Sequence, residues 1–185
     1  MRRSDNDGVK SSSVRRVHVR AAAGDRRRGW LTVGPLTMPV ALGRGGIKAN
    51  KREGDGGTPR GRFRLKRVWF RPDRGIRPQT QLPVRAITPY DAWCEDPADR
   101  HYNGPIRVEA PAPGDRLWRK DHLYDLIIEL DHNTRPRIAG RGSAVFVHMA
   151  RPGFGPTAGC VGLTPGALRR LLKVLGPRTE IEIHS

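Results

Sequence analysis

A histidine and a cysteine, His148 and Cys160, lie twelve positions apart in the stretch HMARPGFGPTAGC, and together they could perform nucleophilic chemistry. A cysteine attacks as its thiolate, and a nearby imidazole can take the thiol proton. Gly159 lets the backbone approach a substrate closely, so the amides at Gly159 and Cys160 could face a developing oxyanion. These residue types indicate a cysteine acyltransferase or hydrolase. Spacing alone leaves a second interpretation open, in which the pair is structural or incidental.

Short strands are predicted around this pair. Residues 143–148 form a β-type run that ends at the histidine, and residues 123–130 predict a central strand. The one clear helix begins at Thr164-Pro165, with a hydroxyl N-cap and a proline at the first helical position, and ends at Gly176-Pro177. Further strands are predicted at 14–19, 30–33, 38–42, 62–69 and 179–184. With about seven or eight strands and one helix, the predicted fold class is mostly β.

Length and composition predict one domain. The 185 residues suffice for a core without disulfide or metal staples, and we expect a flexible tail at 1–13 followed by a catalytic domain at 14–185. Abundant glycine and proline predict loops at 43–57 and across most of 71–122. No stretch approaches the ~20 apolar residues of a membrane-spanning helix. Basic residues begin the chain without a following apolar run, so no signal peptide is recognisable.

The net charge of +17 extends well beyond the N-terminal tail and would attract polyanions such as nucleic acid, anionic lipid or acidic wall polymers. No recognition helix or aromatic stacking pattern accompanies it, so specific nucleic-acid binding is not predicted. A generally arginine-rich surface is the alternative explanation.

The remaining cysteine and the scattered histidines do not predict a disulfide or a metal site. Cys94 lies beside two acidic residues and is expected to be structural or part of a wall of the site. His101, His122 and His132 could in principle bind zinc, but their spacings match no metal signature. We therefore predict no metal and no cofactor.

Three blocks of sequence, in order, carry a family resemblance. Thr157-Ala-Gly-Cys160-Val follows the histidine strand, Gly57-Thr58-Pro59-Arg-Gly61-Arg-Phe63 precedes it, and Gly140-Arg-Gly142-Ser143 leads into it. Residues 92–97, Tyr102-Asn103 and 123–125 add an aromatic and acidic insertion. Over residues 14–185 the chain resembles the L,D-transpeptidases with a YkuD-type catalytic domain, and in particular a compact bacterial subset.

The resemblance implies a β-sandwich or barrel-type domain that acts on peptidoglycan stem peptides as acyl donor and acceptor, without a cofactor, in the periplasm or cell envelope. Cys160 would be the nucleophile that forms a thioester, His148 its base and later its acid, and Gly159 part of the oxyanion site. A backbone carbonyl, and no Asp, would orient the histidine. Thr157 would shape the cysteine loop.

Substrate contacts are expected at Thr157, Ser143, Arg141, Tyr102 and Asn103. Two departures from the family pattern concern the donor: the interval from histidine to cysteine is short, and Gly162 stands where relatives often have arginine. Such an open site could form 3,3-type or 1,3-type cross-links. The alternatives are an L,D-carboxypeptidase with the same thioester chemistry and, third, a non-catalytic basic binding module.

Overall fold

A computed structural model describes residues 13–109 and 115–184 as a mostly β protein, which confirms the predicted fold class. The predicted tail at 1–13 lies outside these residues except for Ser13, so the domain boundary stays a prediction. The one α-helix of the described residues is α1 (Pro165–Val174). The strands are β1 (Arg16–Ala22), β2 (Asp25–Val33), β3 (Leu36–Ala41), β4 (Ile47–Lys48), β5 (Thr58–Pro59), β6 (Gly61–Phe70), β7 (Val84–Ala86), β8 (Asp91–Cys94), β9 (Gly104–Arg107), β10 (Asp115–Arg116), β11 (Leu126–Leu130), β12 (Phe146–Met149), β13 (Val161–Leu163) and β14 (Glu180–His184).

The strands close into a barrel, as the resemblance implies. Nine of them form one sheet in the order β11-β12-β13-β3-β2-β1-β14-β6-β7, and β11 also pairs with β6. Strand β6 makes this closure possible because its first half pairs with β14 and its second half with β11. A closed ring leaves no long unpaired edge on which another chain could add a strand.

Alternating apolar residues fill the barrel. Val17 and Val19 of β1 and Ile181 and Ile183 of β14 are fully buried in one core, because side chains on a strand alternate between its two faces. Leu168, Leu171 and Leu172 add the apolar face of α1 to the same core.

The helix begins as predicted and ends slightly early. The Thr164 hydroxyl accepts a hydrogen bond from the Ala167 amide at 3.3 Å, and Pro165 occupies the first helical position. The last helical residue is Val174, because Leu175 takes an extended conformation that buries its side chain in the core. Gly176 and Pro177 therefore follow the helix without capping it.

The long loop predicted at 71–122 contains short strands, one of the two possibilities that its length left open, the other being a functional loop. We call residues 71–125, described except for 110–114, the cover segment. It contributes β7 to the main sheet and forms a separate small sheet in the order β10-β8-β9. These strands are two to four residues long, too short for hydrophobic periodicity to predict. The strand count is accordingly higher than expected.

The cover segment packs on the outer face of the barrel and creates a second core there. From the barrel this core includes Trp69, Ile127 and Phe146, and from the cover segment Ile87, Trp93, Leu117, Leu123 and Tyr124. Trp93 meets Phe146 edge to face, with ring centroids 4.9 Å apart. Cys160 belongs to this second core, so the candidate nucleophile lies outside the barrel and beneath the cover segment.

Among the described residues, the structure contains no helix with the length and apolar character needed to cross a bilayer.

Candidate active site

Two neighbouring parallel strands bring the predicted pair together. Strands β12 and β13 pair with Val147 opposite Val161 and His148 opposite Gly162. Both valines point into the barrel core, so the alternating His148 side chain points outward. Cys160 directly precedes β13 and shares that outward face, where its sulfur accepts a hydrogen bond from the Phe146 amide at 3.4 Å. Strand register therefore places the thiol and the imidazole on the same side of adjacent strands.

Cys160 is a buried, neutral thiol in this structure. The residue is only 7% exposed, and its S–H donates to the Ala144 carbonyl at 3.2 Å. Burial raises the pKa of the Cys160 thiol to about 12, against the opposing effect of the Phe146 amide. A thiol in this state needs a base at the moment it attacks.

His148 has the form that such a base requires. Its Nδ1 lies 2.8 Å from the Met149 carbonyl oxygen, and a carbonyl can only accept, so Nδ1 carries the proton. Nε2 is then left with a free lone pair. Burial lowers the pKa of His148 to about 4, against the effect of the Met149 bond, which keeps the imidazole neutral near pH 7. Tyr124 packs edge to face against the imidazole, with ring centroids 5.4 Å apart, and this contact helps to fix the orientation of His148.

A tight turn presents the cysteine. Gly159 has φ +147°, and a Cβ at this position would lie 2.8 Å from the Gly57 carbonyl oxygen, so only glycine fits without a backbone shift. The Thr157 hydroxyl donates to the Cys160 carbonyl at 2.7 Å and accepts from the Gly159 amide at 3.1 Å. Thr157 thus shapes the turn. The Gly159 amide, expected to face an oxyanion, is already engaged, and the Cys160 amide stays the better candidate for that role.

The thiol lies in a cavity of about 320 Å³. Its walls come from the cysteine turn, the segment before β12, the cover segment and the predicted glycine-rich loop at 43–57. The lining residues are Arg44, Lys51, Glu53, Gly54, Glu95, Asp115, Tyr124, Ser143, Ala144, Val145, Ala158, Gly159 and Cys160. This cavity combines a nucleophile with several charged groups.

Lys51 is a site residue that the sequence did not single out. It is only 6% exposed, and its ammonium donates to Asp55 at 2.8 Å and to the Arg52 carbonyl at 2.7 Å. Burial of Asp55 is outweighed by the bonds from Lys51 and two backbone amides, which hold the pKa of that carboxyl well below its usual range. A charged pair inside a glycine-rich loop is the sequence signal that could have indicated this.

Tyr124 is the second such residue. It lines the cavity beside Cys160, packs on His148, and donates its hydroxyl proton to Asp115. Arg119 in turn donates to Asp115 at 3.1 Å and to Asp121 at 2.6 Å. This network ties the cover segment to the catalytic pair, and no local pattern in the sequence reveals it.

The structure separates the expected substrate contacts into three groups, and Thr157, held within the cysteine turn, is not among the residues that line the thiol cavity. Ser143 lines the cavity with Cys160. Arg141 is exposed in a neighbouring depression, and its carbonyl lies 3.1 Å from the His132 ring. Tyr102 and Asn103 are buried and lie outside the set of cavity-lining residues.

Tyr102 and Asn103 hold the cavity wall from behind. The Tyr102 hydroxyl donates to Glu53 and accepts from the Gly142 amide at 3.1 Å. The Asn103 carbonyl oxygen accepts from the Ala144 amide at 3.2 Å, and Ala144 has a positive φ of 50°. Since the Ala144 carbonyl accepts the hydrogen bond of the Cys160 thiol, these contacts give Asn103 a positioning role. Direct substrate contact stays a prediction for both residues.

Cys94 and the remaining histidines are not among the residues that line the thiol cavity. Cys94 is a buried free thiol in β8 outside the set of residues lining the thiol cavity. Within the described ranges, no three His, Cys, Asp or Glu side chains are grouped so as to hold a metal. His101 pairs with Asp99 and His122 with Asp125.

A second, larger cavity of about 720 Å³ begins at Met149, one residue after the histidine. Arg151, Phe154 and Leu123 are among its lining residues, so the short loop between histidine and cysteine forms part of its wall. Neither His148 nor Cys160 lines this cavity. Gly162, opposite His148 in the strand pair, opens no further space, because a Cβ there would lie within 3.3 Å of Ala150 and Ala41.

Comparison with protein families matches residues 18–183 to YkuD, the L,D-transpeptidase catalytic domain. Among solved structures, the chain is similar to L,D-transpeptidase 1 of Mycobacterium tuberculosis, with 15% sequence identity and a TM-score of 0.38. That alignment covers 91% of this chain and 59% of the other, so this chain spans less than two thirds of the length of that protein. No curated protein matches it.

Proposed function

This chain belongs to the YkuD family of L,D-transpeptidase catalytic domains, and from that premise we propose that it cross-links peptidoglycan stem peptides through a Cys160 thioester. The observation that carries the proposal is the shared outward face of Cys160 and His148, with Nδ1 of the histidine anchored on the Met149 carbonyl. That anchor leaves Nε2 free to accept the thiol proton.

In the first half-reaction, Nε2 of His148 takes the thiol proton as the sulfur attacks an amide carbonyl carbon of the donor stem. A C–S bond forms and the carbonyl oxygen becomes an oxyanion, which the Cys160 amide would stabilise. The C–N bond then breaks, and the imidazolium gives its proton to the leaving amine. Because both groups are neutral at rest, proton transfer has to accompany attack.

In the second half-reaction, an amine of a neighbouring stem attacks the thioester carbon. The C–N bond of the cross-link forms and the C–S bond breaks, while a proton of the attacking nitrogen passes through Nε2 of His148 to the sulfur and restores the Cys160 thiol. Water in place of the amine would give a carboxypeptidase, so the occupancy of the acceptor side decides between transfer and hydrolysis.

The donor stem needs room next to the histidine. Close packing of Gly162 against Ala150 and Ala41 adds none. The available room is the cavity of about 720 Å³ that begins at Met149, one residue after His148. We propose that the donor stem lies there and is cut after its third residue, giving 3,3-type links, or after its first, giving 1,3-type links.

The substrate class places the proposed activity in the cell envelope. Peptidoglycan is outside the cytoplasmic membrane, and the net charge of +17 favours contact with anionic wall polymers. Binding that weakens steeply with added salt would support this part of the proposal.

The test is the product spectrum from purified protein and disaccharide-tetrapeptide, read by mass spectrometry. We expect dimers, with a mass loss that identifies the cleaved bond, and no product from Cys160→Ala. Trimmed monomers alone would indicate a carboxypeptidase. Products undiminished in Cys160→Ala would refute the thioester, and length-dependent DNA binding without turnover would favour the binding module.

A further inference from the structure

Three carboxylates line the cavity that holds Cys160. They are Glu53 from the glycine-rich loop, and Glu95 and Asp115 from the cover segment. The chain has 18 acidic residues against 35 Lys and Arg, so a group of three acids around a nucleophile runs against the overall charge. Fields of fixed charge in a cleft attract ligands of the opposite sign. These carboxylates therefore suit the cavity to a positively charged group, which the basic surface elsewhere would repel.

The three carboxylates differ in the partners they have. Glu53 accepts a hydrogen bond from the Tyr102 hydroxyl, and Asp115 accepts hydrogen bonds from Tyr124 and Arg119. Glu95 has neither a hydrogen bond nor an ion pair with any described residue, and it lines the cavity with its carboxylate partly desolvated while the rest of the residue is exposed to solvent. One carboxylate is thus free to meet an incoming group, and the two others are held in place beside it.

The cations nearest the cavity are already engaged. Lys51 is paired with Asp55, and Arg119 with Asp115 and Asp121. Arg44, which also lines the cavity, donates to the neutral Gly54 carbonyl at 3.3 Å and keeps its charge, but it is exposed to solvent. None of these pairs involves Glu95, so its charge stays available.

Ser143 provides a second, independent sign of a ligand. The residue is only 8% exposed and lines the same cavity, yet its Oγ has no hydrogen-bond partner among the described residues. The Tyr102 phenol is a neighbour of this hydroxyl, but the two form no hydrogen bond of normal geometry. A buried hydroxyl without a partner is costly, and a polar group of a bound substrate would satisfy it.

We propose that Glu95, with Asp115 and Glu53 beside it, forms the subsite for the ammonium group of the acyl acceptor, and that Glu95 takes one of its protons. This inference rests on the proposed transpeptidase function and assigns named residues to bind and deprotonate the acceptor amine, which arrives as a cation. An ammonium has three donors on a compact charge, which suits a group of carboxylate oxygens better than a neutral amide or hydroxyl does.

The environment of Glu95 supports the proton transfer. Desolvation in the cavity, followed by the charges of Asp115 and Glu53, raises the pKa of Glu95 to about 7, against the opposing charge of Arg119. An ordinary glutamate titrates near ~4.3 and is a poor base for an ammonium. A base near the working pH combines a deprotonated state with sufficient basicity.

The step balances in atoms and charge. The acceptor ammonium gives one proton to the Glu95 carboxylate, and its nitrogen then attacks the thioester carbon. The C–N bond forms and the C–S bond breaks. The second proton leaves the nitrogen by way of His148 and restores the Cys160 thiol. The products are the amide cross-link, a protonated Glu95 and a neutral enzyme thiol.

The test separates acylation from transfer in Glu95→Gln. Glu109→Gln is the matched control. It makes the same substitution at an exposed glutamate that does not line the cavity. With disaccharide-tetrapeptide as donor, acylation is followed by the rate of thioester appearance on intact protein. Transfer is followed by the appearance of cross-linked product with a stem tripeptide that has a free side-chain amine. The same peptide with that side-chain amine acetylated is the blank.

We expect Glu95→Gln to acylate within about twofold of the wild type and to transfer ~10²-fold more slowly, with products shifted to trimmed monomers. Glu95→Asp should recover part of the transfer. Transfer in the wild type should fall as the pH drops below about 7, and this limb should be absent in Glu95→Gln. Transfer by Glu95→Gln equal to that by Glu109→Gln would overturn the subsite. Absence of acylation in the wild type would refute the proposed function itself and remove the subsite with it.

Discussion

Replacement of Gly159 by alanine tests whether the cysteine turn sets the reactivity of the thiol. The new Cβ would lie 2.8 Å from the Gly57 carbonyl oxygen, closer than Cβ atoms approach other atoms, and at φ +147°. A non-glycine residue in such a conformation costs ~1–3 kcal/mol. Forcing extra volume into a packed site costs another ~1–3 kcal/mol. We therefore expect the free energy of unfolding to fall by about 2–6 kcal/mol.

The same change should displace Cys160, because the turn relieves the contact by moving away from the glycine-rich loop. A displacement of about 1 Å at a reacting group can cost ~10²-fold in rate. The assay is the rate of thioester formation on intact protein, with chemical denaturation measured in parallel.

Gly24→Ala is the matched control, since Gly24 also has a positive φ, of 81°, but has no atom within 4 Å of the new Cβ. It should lose about 1 kcal/mol of stability and no acylation rate. If Gly159→Ala acylated at the wild-type rate and lost no more stability than Gly24→Ala, the contact between the cysteine turn and the glycine-rich loop would not control the thiol.

The remaining predictions concern His148 and the Lys51–Asp55 pair. His148→Gln should lower the acylation rate ~10²–10⁴-fold, measured by the same mass assay. Because burial lowers the pKa of His148 to about 4, the unfolded chain takes up its proton first as the pH falls below 6.5. The wild type should therefore lose up to about 3 kcal/mol of unfolding free energy between pH 6.5 and 4 that His148→Gln keeps; equal losses in urea titrations would contradict this. Asp55→Asn should cost ~1.5–3 kcal/mol and slow acylation, because it leaves Lys51 unpaired in the cavity, and the exposed Asp99→Asn should do neither.

Local patterns predicted the elements that carry the pair. The β-type run before His148 became β12, and Thr164-Pro165 began the helix, because strand alternation and helix capping depend on neighbouring residues. The His–Thr–Gly–Cys blocks indicated the chemistry, and the family match agrees with the resemblance they carried. The short strands of the cover segment could not be predicted in this way, because two to four residues are too few to show an alternation of apolar and polar side chains.

Everything that depends on distant partners had to come from the tertiary structure. The closure of the barrel through β6 and β11, the buried position of Lys51, and the contact of Tyr124 with His148 join residues far apart in sequence. The sequence predicted a strand that ends at the histidine and a glycine that precedes the cysteine, and the pairing of β12 with β13 in the tertiary structure made the two residues neighbours. Only the cover segment, by burying both, decided that they rest as a neutral thiol and a neutral imidazole, because desolvation outweighs the nearby charges.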